Sequence, residues 1–147
     1  MNVDEPSFGP ADVAAFLGEK ERRVRDLHDR GFGGFFGRRD GYRILYSVRD
    51  VAGAAVARDL VALGFPPRLA ARVGAIATYR TPKRDAALEG APDVIASLAP
   101  EPGSGIPMDR MSYRLPAHTA TTINVPVGRI FADVTEKATH LRHARAH

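Results

Sequence analysis

Val13, Phe16 and Leu17 stand at i, i+3, i+4 spacing behind Gly9-Pro10, which predicts a short helix from Pro10 to near Gly18. Proline suits a first helical turn, where its missing N–H has no intrahelical acceptor. Val24 and Leu27 then give residues 19–30 one apolar edge among charges, a second helix with Gly31 as its stop. Two short helices joined by a tight glycine-containing turn make a helix-turn-helix. The polar residues before Phe8 predict a frayed end.

The period changes over residues 33–46. Phe35 and Phe36 lead into Gly37-Arg38-Arg39-Asp40-Gly41, whose Asp-Gly is a hairpin-turn signal, and residues 42–46 make the returning strand. The prediction is a two-stranded wing with Arg38-Arg39 at its tip. Ser47-Val48-Arg49-Asp50 has the form of a capping box with aspartate in the usual place of glutamate, so a third helix starts at Val48. Ala52, Val56, Leu60 and Leu63 share one of its faces, and Gly64 closes it. Pro66-Pro67 opens a fourth helix whose expected buried stripe is Leu69, Val73 and Ile76.

Residues 81–109 are rich in proline, glycine and charge and predict a linker, with residues 93–98 as the one candidate element inside it. Met111, Tyr113 and Leu115 alternate with polar positions, as do Thr121, Ile123 and Val125, so two strands are expected. Pro126 opens a terminal helix with a continuous stripe of Val127, Ile130, Phe131, Val134, Ala138 and Leu141. A stripe of that length needs a partner surface. The expected organisation is a winged helix-turn-helix domain over 1–80, a linker over 81–109 and a strand–helix element over 110–147. The fold class is mainly α with a small β component.

Composition narrows the chemistry. With 147 residues, 44% hydrophobic and 26% charged, the chain is an ordinary globular one. It has no cysteine, which removes disulfides, thiolate metal sites and thiol redox switching. No apolar run reaches the roughly 20 residues of a membrane-spanning helix, and the acidic N-terminus lacks a secretory pattern. A cytoplasmic, nucleoid-associated protein with no membrane partner is expected.

The net charge is +4. Within residues 20–43, Lys20, Arg22, Arg23, Arg25, Arg30, Arg38, Arg39 and Arg43 face only Glu21, Asp26, Asp29 and Asp40, so this window carries an excess equal to that of the whole chain. A localised basic stripe on an otherwise balanced chain is a footprint of phosphate binding. Solvated charge is the bland meaning of such residues. Their place on the second helix of a helix-turn-helix, ahead of a basic hairpin, favours DNA. Arginine offers a planar fork to guanine N7 and O6 or to a phosphate. Arg22 and Arg23 are assigned to base edges, Lys20, Arg25 and Arg43 to phosphates, and Arg38 and Arg39 to a minor groove or the backbone.

Other candidates are weaker. The GFGGFFG run lacks the lysine and Ser/Thr of a phosphate-binding P-loop and precedes no helix. His140, His143 and His147 fit a solvated tail better than a metal site, and His28 fits a helix-surface or groove-side residue. No carboxylate pair, nucleophile motif or triad is visible, so neither an enzyme nor a cofactor is expected.

GPADVAAFLGEKERRVRDLHDRGF, GYRILYSVRDV and ARDLVALGFPPRLAARV, in that order, resemble the DNA-binding domain of MerR-type transcriptional regulators, a bacterial class. The resemblance covers residues 8–73. It implies that Arg22 and Arg25 are basic side chains of the recognition helix, that Tyr42 and Arg43 are wing contacts, that Gly31 is the helix stop and that Ser47 is the cap of the helix after the wing. Asp26 and Leu27 replace an aromatic pair common in that helix, and residues 41–47 hold one residue more than the usual spacing. The chain also lacks the cysteine ligands found in many members. The expected function is a sequence-specific regulator acting as a homodimer on double-stranded DNA, with RNA polymerase as a further partner and Val127, Ile130, Phe131, Val134 and Leu141 as the dimer contact. The alternatives are an excisionase-like architectural protein that bends DNA, and an adaptor whose basic face binds an acidic protein.

Overall fold

The computed structural model describes residues 2–79, 94–97 and 122–147. Among them lie five α-helices and two small antiparallel sheets of two strands each, a mainly α fold with a little β. Helix α1 (Pro10–Leu17) has proline in its first turn, and Asp12 accepts from the Gly9 N–H at 2.9 Å. It stops at Gly18, and after a short turn the chain enters α2 (Glu21–Asp29). Val24 and Leu27 are the buried residues of α2, as their spacing predicts.

A 3-10 turn over Phe32–Gly34 leads to a hairpin of β1 (Arg38–Asp40) and β2 (Arg43–Leu45). Asp40 pairs with Arg43, so the loop is Gly41-Tyr42 rather than Asp40-Gly41. Gly41 has φ 58°, a conformation that side chains resist, and this places the glycine at the first central position. The tip of the hairpin is therefore Tyr42, and Arg38 and Arg39 lie along the strand below it.

The N-terminal segment is not frayed. Phe8 and Tyr46 exchange backbone hydrogen bonds, Tyr46 N–H to Phe8 O at 2.8 Å and Phe8 N–H to Tyr46 O at 3.1 Å. Val3 is buried, and its carbonyl accepts from the Arg49 N–H at 3.1 Å.

Helix α3 (Val48–Ala62) begins at the capping box read from the sequence: Ser47 Oγ accepts from the Asp50 N–H at 3.1 Å, and Asp50 Oδ2 accepts from the Ser47 N–H at 2.9 Å. Leu63 falls just past its end and is 66% exposed, so it leaves the face shared by Ala52, Val56 and Leu60. Helix α4 (Pro67–Tyr79) lies against α3 through small residues. Ala70, Ala71, Val73, Gly74, Ala77 and Thr78 are its buried positions, while Leu69 and Ile76 are only half-buried. Of the expected leucine–valine–isoleucine stripe Val73 is buried, and Leu69 and Ile76 give way because the two backbones meet: a Cβ on Gly74 would collide with the Gly53 carbonyl oxygen.

Strand β3 (Val94–Ser97) pairs with β4 (Thr122–Val125), with Val94 opposite Val125 and Ser97 opposite Thr122. The short element expected at 93–98 is thus a strand, whereas the one expected at 111–115 lies outside the described residues. Helix α5 (Val127–Ala146) follows and packs on α3 and α1. Val127, Phe131, Val134 and Ala138 are each at most 2% exposed within the one buried cluster that also holds Phe8, Leu27, Val51 and Leu60, and Ile130 and Leu141 pack at its margin. The stripe expected to hold a second copy is covered by its own chain.

Polar contacts fasten this packing. Lys137 Nζ donates to the Phe16 carbonyl at 3.2 Å, and Arg58 donates to the Leu17 carbonyl, so the last carbonyls of α1 gain donors from α5 and α3. Arg142 reaches Ser7 Oγ at 2.8 Å and lies over the Phe8 ring, and Arg145 meets Asp12 at 2.7 Å. Thr135 and Thr139 return their hydroxyls to the carbonyls of Phe131 and Thr135, which satisfies polar groups on a side that faces apolar neighbours.

Candidate nucleic-acid interface

The basic residues of the 20–43 window divide into two groups. On α2, Arg25 is bound to Glu21 at 2.6 Å, and Asp26 Oδ2 holds Arg23 at 3.1 Å and Arg30 at 3.7 Å. These are exposed pairs at i,i+3 and i,i+4 spacing, each worth at most about 1 kcal/mol. They leave the cations available to a stronger anion. Lys20 and Arg22 have no ion pair among the described residues, nor do Arg38, Arg39 and Arg43 on the hairpin. The uncompensated charge lies at the start of α2 and along the hairpin.

Successive helical residues turn by about 100°. Val24 and Leu27 face the core, so Arg22 and Asp29 point most directly outward, with Arg25 and Asp26 about 50° to either side of them and Arg23 and Arg30 nearer the core beyond Asp26. One cation and one carboxylate occupy the centre of the exposed face, with a second of each beside them. Of the two residues assigned to base edges, Arg22 has this outward position, whereas Arg23 is half-buried on the flank.

Tyr46, the residue after β2, meets α2 through its side chain. Tyr46 Oη lies 3.0 Å from His28 Nδ1, and the two rings meet edge to face. His28 is half-buried and sits beneath Gly33, where a Cβ would stand 2.6 Å from its Nε2. Burial holds the His28 imidazole below its usual range; Asp29 works against that shift and Arg39 adds to it. Burial also pushes the Tyr46 phenol up to about 12, with Asp50 and Asp29 in support and Arg25 opposing. Arg39 of the hairpin and Arg25 of α2 are thus each close enough to this contact to act on one of its two rings.

At the tip Tyr42 is fully exposed, an aromatic ring flanked in sequence by the free Arg43 and close along the strand to Arg39. Three features escaped the sequence. Tyr42 as the tip follows from a one-residue shift of the turn. His28 as a junction was signalled by its position beside Leu27, at the border of the apolar edge. The Asp26 hub follows from Arg23 and Arg30 standing three residues before it and four after it.

The basic residues near the C-terminus do other work: Lys137, Arg142 and Arg145 are engaged with α1 and the segment before it. Among the described residues no group of three or more His, Asp or Glu side chains could hold a metal ion, and His140, His143 and His147 are exposed along α5. No helix among the described residues is long and apolar enough to cross a membrane. No protein-family model matches the chain, and no curated protein or solved structure matches it either.

Proposed function

We propose that the chain is a DNA-binding protein of the winged helix-turn-helix type, a MerR-like transcriptional regulator in which α2 enters the major groove and the hairpin acts as the wing. The observation that carries this reading is the pairing of two basic elements: Lys20 and Arg22 at the start of α2, without ion pairs among the described residues, and likewise Arg38, Arg39 and Arg43 on a hairpin whose following residue, Tyr46, contacts His28 of α2. Phosphate contacts from both elements fix the register, and the outward side chains of α2 read base edges.

A second reading is favoured by α5. Its stripe is buried in its own chain, so two-fold assembly on DNA would use a surface other than Val127, Phe131 and Val134. A monomeric architectural protein that bends DNA needs no such surface.

Competition binding separates the two. The full chain is incubated with labelled genomic fragments and excess bulk DNA at about 150 mM salt, where nonspecific attraction is weakened. A regulator retains particular fragments, and Arg22→Ala releases them. Uniform displacement of all fragments, with bending detected by ring closure of short duplexes, marks the architectural protein. Failure to bind any duplex even at low salt overturns both.

A further inference from the structure

Asp26 stands one helical turn beyond Arg22 on the exposed side of α2, about 6 Å further along the axis. A carboxylate there opposes phosphate binding. Its placement instead gives the helix something that arginines lack, an outward hydrogen-bond acceptor. Oδ2 is engaged by Arg23 and Arg30, and Oδ1 makes no hydrogen bond among the described residues. The two arginines hold the side chain from one flank and offset its charge.

We infer that Asp26 is a specificity-determining residue that accepts a hydrogen bond from the exocyclic amino group of a cytosine in the major groove, while Arg22 one turn earlier offers its fork to guanine. The inference rests on the DNA-binding reading and names what that reading's helix prefers. Cytosine is the base selected because its major-groove edge presents the N4 amino group as a donor alone. Adenine sets the N7 acceptor beside its N6 amino group, which repels a carboxylate, and guanine and thymine offer acceptors. Asp29, also exposed, sits in the last turn of α2 and serves as a charge-matched control.

The test is selection of bound duplexes from a random pool by the full-length wild type, Asp26→Ala, Asp26→Asn and Asp29→Ala, with circular dichroism to show that each variant is folded. The wild type is expected to enrich a motif with one cytosine position that is preferred about tenfold. Asp26→Ala makes that position degenerate and raises affinity for random duplex severalfold. Asp26→Asn moves the preference there toward adenine, whose N6 and N7 suit an amide. Asp29→Ala keeps the motif. A wild-type motif that Asp26→Ala and Asp26→Asn both retain, position by position, overturns the role of Asp26 alone. A wild-type pool with no enriched motif overturns sequence-specific reading, and the role of Asp26 with it.

Discussion

Tyr46 places its hydroxyl 3.0 Å from Nδ1 of His28, eighteen residues earlier, and so joins the strand that leads into α3 to the exposed helix α2. Tyr46 itself is only 3% exposed and also exchanges backbone bonds with Phe8, so three segments meet at one residue. Tyr46→Phe keeps the ring and removes the hydroxyl, which leaves a part-buried imidazole nitrogen without its protein partner. The expected loss is about 1 kcal/mol of stability. Chemical denaturation of wild type and variant checks this, and an unchanged midpoint would mean that water replaces the hydroxyl in full.

The same imidazole makes stability depend on pH. Its folded-state pKa lies below the ordinary 6.5, with burial as the main cause, so the unfolded chain binds the proton more tightly. The stabilisation from the neutral form is complete above about pH 6.5 and is lost as pH falls from there through the folded-state value. Melting temperatures measured from pH 7.5 downward should fall below about 6.5, and His28→Gln should flatten that part of the profile. A profile identical in the two proteins would show that other groups account for it.

Helix starts were legible in the sequence where local chemistry decides them: Pro10, the Ser47–Asp50 box and Pro67 each open a helix as expected. Sidedness was legible for α2, where two apolar residues stand among charges. It failed for α4, because apolar periodicity reports size and the α3–α4 contact selects smallness. Gly53 and Gly74 let the backbones touch, so alanines rather than Leu69 and Ile76 are buried. The stripe of α5 was legible as a stripe. Its partner was not, because nothing local to Val127 or Phe131 encodes the approach of α3.

That contact at Gly74 gives a direct test. Gly74→Ala adds a single methyl group where the Gly53 carbonyl already lies, and Gly53 cannot yield freely because its own Cβ position stands 2.5 Å from Phe36. Overpacking of this kind costs about 1–3 kcal/mol, more than the gain in helix propensity of about 1 kcal/mol. Gly64→Ala meets no neighbour but carries φ 96°, so any loss there comes from backbone strain alone. Comparing the two by thermal unfolding separates collision from conformation. Stabilisation by Gly74→Ala would contradict the close approach.

The burial of α5 predicts that its removal is felt throughout the chain. Phe131 is 1% exposed, lies beneath the Arg49 guanidinium at 5.7 Å, and shares a cluster with α3. Phe131→Ala should cost about 3–5 kcal/mol. If α5 instead detached readily, the loss would be small and hydrogen exchange in α3 would be unchanged.

If the proposed DNA binding holds, the charge arrangement around α2 and the hairpin sets its dependence on salt. Each phosphate neutralised by a lysine or arginine contributes about 0.9 to the slope of log affinity against log salt on duplex DNA. Arg39 has no ion pair among the described residues, so Arg39→Ala should lower the slope by nearly that full amount. Arg25 starts from its pair with Glu21, with side chains 60% and 44% exposed, and must exchange that partner for a phosphate. Glu21→Gln frees it beforehand. The variant should therefore bind random duplex more tightly than wild type, whereas Arg25→Ala and the double variant Glu21→Gln, Arg25→Ala should bind alike apart from the charge of Glu21. Titrations at several salt concentrations give the slopes of wild type and all four variants. Equal slopes for wild type and Arg39→Ala would remove Arg39 from the proposed DNA interface.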